Sequence, residues 1–82
     1  MPTVMRLRGL RVVIFPNDHR PAHVHIDGGD RAAVFFLNCP GGPGELRENY
    51  GFRYRELSAI ADVLDANIDE LCERWSEIHG DA

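Results

Sequence analysis

The sequence predicts an α+β domain: a small antiparallel β-meander of about four strands, followed by two C-terminal helices packed on one face of the sheet. Up to Leu37, short runs of β-branched and aromatic residues are separated by turn residues, which is typical of strands. From Tyr54 onward, apolar residues recur at helical spacing instead. A chain of 82 residues is expected to form one domain. Its expected parts are a sheet with a histidine-rich loop (1–37), an irregular connection (38–53) and the helices (54–80).

Short turns are expected to join the four strands. Arg8 and Gly9 form a hairpin turn between the first two, because glycine readily adopts the positive φ that such a turn requires. Pro16 ends the second strand, since proline lacks the N–H that a ladder hydrogen bond needs. Two glycines and an aspartate at 28–30 form the turn before the last strand. The expected strands are 3–7, 10–15, 23–27 and 31–37.

The connection to the helices is expected to contain little regular structure. Residues 38–44 include two prolines and three glycines, a composition that ends a sheet. Residues 45–52 follow neither the strand period nor the helix period, and a single turn of helix is the most structure that we expect there.

An apolar stripe at helical spacing predicts the C-terminal helices. Asn67 stands three residues before Glu70, which fits a capping box, so a second helix is expected to begin there. A single kinked helix is the alternative. Gly80 is expected to end the helical region. The stripe consists of Leu57, Ile60, Ala61, Leu64, Ile68, Leu71, Cys72, Trp75 and Ile78.

The charges are distributed unevenly along the chain. All nine basic residues are arginine. Residues 1–31 hold five arginines and three aspartates, whereas residues 45–82 hold four arginines and ten carboxylates. The acidic second half argues against broad nucleic-acid binding by that half, and the first half leaves room for a small polyanion-binding surface.

Cys39 and Cys72 belong to no C-x-x-C pair, and we expect two free thiols in a reducing compartment. No apolar stretch approaches the length of a membrane span, and the first residues form no charged-then-apolar signal segment. These observations predict a cytoplasmic protein without a membrane partner.

The richest concentration of reactive side chains is the stretch from Pro16 to His25, which contains three of the four histidines. Side chains of a strand alternate between its faces, so His23, His25 and Asp27 are expected on one face while the aliphatic residues between them point to the other. Imidazoles on one side and apolar residues on the other indicate a half-buried strand with a reactive outer face.

One interpretation of this stretch is a divalent metal site. His23 and His25 can reach one ion from the same side of the strand, and His19 is the candidate for a third nitrogen ligand. Asp18 or Asp27 would add an oxygen, which gives a zinc-like ligand set with an open position.

Other interpretations need no metal. Asp18 could orient His19 or His23 for acid–base catalysis, and Arg20 could hold the phosphate of an RNA that a histidine cleaves. In the purely structural alternative, the histidines cap the loop and donate hydrogen bonds to backbone carbonyls. His79 is expected to be a helix C-terminal residue rather than a ligand.

The run Asn17-Asp18-His19-Arg20-Pro21-Ala22-His23-Val24-His25 resembles the N-D-H-x-P-x-H-x-H signature of the small bacterial domain-of-unknown-function 4160 family. The resemblance also extends to residues 1–4, 9–12, 45–57 and 71–75. It implies that Asp18, His19, His23 and His25 are the family's hallmark positions. We take these four residues as candidate catalytic positions, and Asn17 and Arg20 beside them as candidates for substrate or partner binding. One departure is Arg53, where relatives tend to have a capping serine.

The resemblance implies a small regulatory or interaction protein that acts through this loop. Members often lie beside genes for a second small family, as in a toxin–antitoxin pair, so a small partner protein encoded nearby is expected and this chain would be the toxin-like member. The alternatives are a histidine-dependent, metal-assisted hydrolase or nuclease and a DNA-binding transcriptional regulator, with RNA or DNA as further candidate partners. The sequence does not indicate an oligomeric state.

Overall fold

A computed structural model describes residues 3–79, which form a five-stranded antiparallel sheet followed by two helices. The strands lie in the sheet in the order in which they occur in the chain, so each pairs with its sequence neighbours. This is the predicted meander with the predicted C-terminal helices. The elements are β1 (Thr3–Leu7), β2 (Leu10–Val13), β3 (His23–Asp27), β4 (Ala32–Phe36), β5 (Glu45–Tyr50), α1 (Tyr54–Ala66) and α2 (Ile68–His79).

The first hairpin forms where the sequence predicts it. Leu7 pairs with Leu10, and the two residues between them both have positive φ, 48° at Arg8 and 80° at Gly9. This backbone is that of a two-residue primed turn, whose twist matches the twist of the flanking strands. The hairpin therefore fixes the register of β1 on β2.

Both helices cover one face of the sheet. Strand alternation directs Val24 and Ile26 of β3 into the core, where they join buried side chains of the helices such as Leu64 and Leu71. The predicted helical stripe is the face that packs, since Ile60, Ile68 and Trp75 are also buried. Along residues 3–79, no helix is long and apolar enough to cross a bilayer.

A fifth strand occupies part of the segment where only a turn of helix was expected, so that expectation is wrong and the expected strand count is one too low. Glu45–Tyr50 pairs antiparallel with β4, with a register shift between Val34 and Phe35. The strand lies at the edge of the sheet and is largely exposed, so it carries no apolar alternation. It forms because β4 offers unpaired backbone groups, which the sequence of residues 45–50 does not reveal.

Two separate helices form, and the single kinked helix is excluded. The side chain of Asn67 donates a hydrogen bond to the carbonyl of Val63 (2.8 Å) at the end of α1, and its own carbonyl accepts from the N–H of Leu71 (3.0 Å) in α2. Asn67 therefore marks the start of the second helix as predicted, although its side chain serves the first. At the start of α1, Glu56 accepts a hydrogen bond from the backbone N–H of Arg53 (2.8 Å), which satisfies a helix terminus that lacks a serine cap. The predicted stop at Gly80 lies outside the described residues.

The two cysteines form a disulfide, so the prediction of free thiols is wrong. Cys39 lies in the loop after β4 and Cys72 lies in α2, 33 residues later. Folding brings them together because the same loop also binds α1, where the N–H of Gly44 donates to Asp65 (2.7 Å). Neither cysteine has a local sequence pattern that indicates its partner, since the contact is between distant parts of the chain.

We expect loss of this disulfide to lower the free energy of unfolding by about 3–4 kcal/mol, because the crosslink restricts a long loop in the unfolded chain. Urea unfolding of the Cys39→Ser/Cys72→Ser variant, compared with the oxidised parent, measures this difference. A reducing agent should lower the unfolding midpoint of the parent and leave that of the double variant unchanged. Equal midpoints for the oxidised and reduced parent would contradict the expectation.

Candidate metal centre

The loop between β2 and β3 places a carboxylate beside the start of β3. The N–H of Asp18 donates to the carbonyl of Phe15 (3.0 Å), and the N–H of Phe15 donates to the Asp18 carboxylate (3.1 Å). This tight turn is the kind that the Asn17-Asp18 pair favours. The Asp18 side chain is 14% exposed, so the carboxylate is held in a fixed and largely buried position.

β3 presents the two histidines as the alternation predicts. His23 pairs with Phe36 and His25 pairs with Val34, so both histidines lie on the set of positions opposite to the core residues Val24 and Ile26. The His23 side chain is 7% exposed, and the His25 side chain is 30% exposed. One imidazole is therefore enclosed and the other lines the surface.

Asp18, His23 and His25 converge on one point. Nε2 of His25 lies 3.2 Å from Oδ2 of Asp18, and Nε2 of His23 lies 3.5 Å from the same oxygen. One ligand atom from each of the three residues lies within 4.8 Å of the others. Two imidazole nitrogens and a carboxylate oxygen form a ligand set that suits a divalent transition metal.

The hydrogen bond of His23 fixes which nitrogen faces this point. Nδ1 of His23 lies 2.8 Å from the carbonyl oxygen of Pro21, and a carbonyl only accepts, so Nδ1 carries the proton. In the neutral ring, Nε2 then has a lone pair directed toward the carboxylate of Asp18. Two acceptors facing each other repel unless a proton or a cation lies between them. A bond from Nδ1 to a backbone carbonyl is also what orients a metal-binding histidine.

The other predicted ligands lie outside this set. His19 is exposed, and it lines the same depression of about 360 Å³ without joining the three converging atoms. Asp27 shares the sheet face of His25, but its carboxylate accepts hydrogen bonds from the Arg11 guanidinium and the Gly29 N–H (2.9 Å). These bonds hold the pKa of Asp27 below its usual value. Of the two aspartates considered, the structure places Asp18 at the site.

Arginines line the walls of the depression. Arg20 and Asn17, the candidates for substrate or partner binding, border it from the loop, and Arg47 borders it from β5. The Arg47 guanidinium carbon lies 5.6 Å from the centre of the Phe36 ring. Sequence reasoning missed Arg47 because β5 was not predicted, and only the pairing of β5 with β4 brings this residue to the site.

Aromatic rings of α2 and of the segment after β2 lie beside the two histidines. The Trp75 ring of α2 lies 5.3 Å from the His23 ring and stacks on His79 at 3.8 Å, and the Phe15 ring lies 4.8 Å from that of His25. His79 donates from Nδ1 to the carbonyl of Trp75 (3.2 Å), a contact that fits its expected place at the end of a helix. Trp75 thus belongs both to the core and to the wall behind His23.

The comparison with protein families identifies one match. Residues 9–76 match the model of the family described as Domain of unknown function (DUF4160). No curated protein and no solved structure matches the chain. The matched region includes the loop that carries Asp18 and the strand that carries His23 and His25. Because the match covers most of the sequence, the chain belongs to the DUF4160 family.

Proposed function

We propose that this protein binds a divalent transition metal through Asp18, His23 and His25 and hydrolyses a phosphodiester bond, as a small metal-assisted nuclease. The observation that carries the proposal is the geometry of His23. Its Nδ1–H donates to Pro21, and its Nε2 faces the Asp18 carboxylate at 3.5 Å. A cation at the point on which the three side chains converge would contact both imidazole nitrogens and the Asp18 carboxylate at once.

The ligand set supports a zinc-like ion. Two nitrogens and one oxygen from the protein leave a coordination position open, as in catalytic rather than structural zinc sites. An ion of this kind supplies Lewis acidity and lowers the pKa of a coordinated water. Pro21 fixes the His23 ring through the carbonyl contact, and the Phe15 N–H fixes the Asp18 carboxylate, so both ligands are oriented by the backbone of the same loop.

The surrounding side chains support a phosphodiester substrate. Arg20 and Arg47 border the depression from two sides, and guanidinium groups bind phosphate oxygens through paired hydrogen bonds. His19 lines the depression without being one of the three ligand residues, so it is the side chain available to transfer a proton to the leaving oxygen. RNA is the substrate class that this combination favours.

A regulatory role is the second candidate and is compatible with the first. The family resemblance favours a toxin-like member of a pair, and a nuclease is an activity that a partner protein would need to hold in check. The partly exposed His25 lets a partner reach the site directly. Direct DNA binding has less support, because the first turn of α2 carries Asp69 and Glu70, and recognition helices are usually basic.

A cytoplasmic location is part of this proposal and has one observation against it. Disulfides are uncommon in a reducing cytosol, whereas Cys39 and Cys72 are bonded to each other. Alkylation of free thiols in intact cells before lysis tests the location. Labelling of both cysteines would support the cytosol, and protection of both would support an oxidising compartment.

Titration of the purified protein with zinc, manganese and nickel, followed by the NMR signals of the histidine rings, tests the metal site. The rings of His23 and His25 should respond first, and the ring of His79 should not, since it lies behind Trp75. Binding should weaken as the solution is acidified, because only neutral imidazole ligates a metal. Unchanged signals of His23 and His25 at millimolar metal would contradict the proposal.

A further inference from the structure

A second groove lies at the opposite end of the sheet from Asp18. It runs between the β1–β2 hairpin and α1, near the end of β3 at Asp27 rather than the end at His23. Its volume is about 380 Å³. The apolar part of its wall consists of Leu7, Leu10, Ala59, Ile60 and Val63.

Arginines surround this apolar wall. Arg8 borders the groove from the hairpin turn. Arg31, which directly precedes β4, and Arg55, which lies in α1, also border it. Arg31 is neutralised by Glu56. The backbone N–H of Arg53 and the guanidinium of Arg31 both donate to the Glu56 carboxylate and keep the pKa of Glu56 below its usual value. Within residues 3–79, Arg8 and Arg55 make no ion pair. The edge of the groove therefore carries a net positive charge, whereas its inner wall is aliphatic.

We infer that this groove binds an acidic, leucine-containing peptide segment of a partner protein. An aliphatic side chain of such a segment fills the space between Leu10 and Val63, and its flanking carboxylates reach Arg8 and Arg55. Nucleic acid fits less well, because the residues described along the wall include no aromatic ring on which a base could stack. The inference is independent of the metal site, which lies at the other end of β3.

Fluorescence anisotropy of a labelled peptide of alternating glutamate and leucine tests the inference. The intact protein should bind this peptide, and added salt should weaken the binding because the arginines lie at the surface. A peptide with lysine in place of glutamate and one with serine in place of leucine should both bind at least about tenfold more weakly. Labelled single-stranded RNA is measured in the same assay as the alternative ligand.

Two variants of the groove and two controls locate the binding. Arg8→Glu/Arg55→Glu should weaken peptide binding by at least about tenfold, and Ala59→Trp should do so by filling the groove from an exposed position. Arg6→Glu is the matched control, since Arg6 is also exposed but does not line the groove. Circular dichroism and melting temperature check that each variant is folded, and Asp18→Asn should leave peptide binding unchanged.

The remaining outcomes would overturn the inference. The first is equal binding of the lysine and glutamate peptides by the parent protein. The second is peptide binding that persists in Arg8→Glu/Arg55→Glu. The third is a protein that binds RNA but not the peptide and loses the RNA binding in the same double variant. Self-association of the protein that the same variant abolishes would assign the groove to a second copy of the chain instead. None of these results depends on whether the Asp18 site holds a metal.

Discussion

Trp75→Ala should lower the free energy of unfolding by about 3–5 kcal/mol, a large part of the roughly 5–15 kcal/mol that small domains possess. The side chain is 2% exposed and belongs to the core that joins the sheet to both helices. Its removal leaves a cavity that a thin, disulfide-linked domain cannot readily fill. Urea unfolding followed by circular dichroism measures the loss, since the only tryptophan is the residue that is replaced.

The same change should also disturb the candidate metal centre. Trp75 lies behind the His23 ring, so its loss should broaden or shift the His23 signals while those of exposed His19 change little. Trp75→Phe is the matched control, because it keeps an aromatic ring and most of the buried area. A Trp75→Ala variant that melts within a few degrees of the parent would contradict the packing of this side chain in the core.

Asp18→Asn should lower metal-dependent phosphodiester hydrolysis by at least about 100-fold, because the amide removes the anionic ligand that faces both imidazoles. Single-stranded RNA and bis(p-nitrophenyl) phosphate are the substrates, each assayed with zinc or manganese and again with a chelator. The substituted amide keeps the size of the side chain and a carbonyl oxygen for the Phe15 N–H, so the loop should stay folded.

Two further variants make this prediction specific. Asp27→Asn is the matched control: Asp27 is another carboxylate on the same sheet face, but it bonds Arg11 and Gly29, so its loss should leave hydrolysis unchanged. His19→Asn should lower hydrolysis while metal binding persists, because His19 lines the depression without joining the ligand atoms. Hydrolysis that persists in Asp18→Asn, or that requires no metal, would contradict the proposed mechanism.

Local signals in the sequence determined much of the fold. The switch from strand patterns to a helical stripe predicted the α+β order, and Gly9 predicted the first hairpin. Alternation along β3 placed His23 and His25 on one face, away from Val24 and Ile26. Each of these features depends on residues a few positions apart, whose spacing sets which way the side chains point.

The tertiary structure decided which of the neighbouring groups meet. Asp18, and not His19, is the third converging residue, because the turn closed by the Phe15 N–H directs the Asp18 carboxylate toward β3. The tertiary structure also placed Trp75 behind His23, a contact between residues 52 positions apart that no local pattern encodes.

Long-range contacts explain the two predictions that were wrong. The strand at Glu45–Tyr50 exists because β4 has a free edge to pair with, and its own exposed sequence shows no strand pattern. The disulfide forms because the loop of Cys39 is held against the helices, where the N–H of Gly44 donates to Asp65, and this brings Cys39 to Cys72 from 33 residues away. The sequence by itself determined the local conformations, and packing between distant segments decided the fifth strand, the crosslink and the composition of the site.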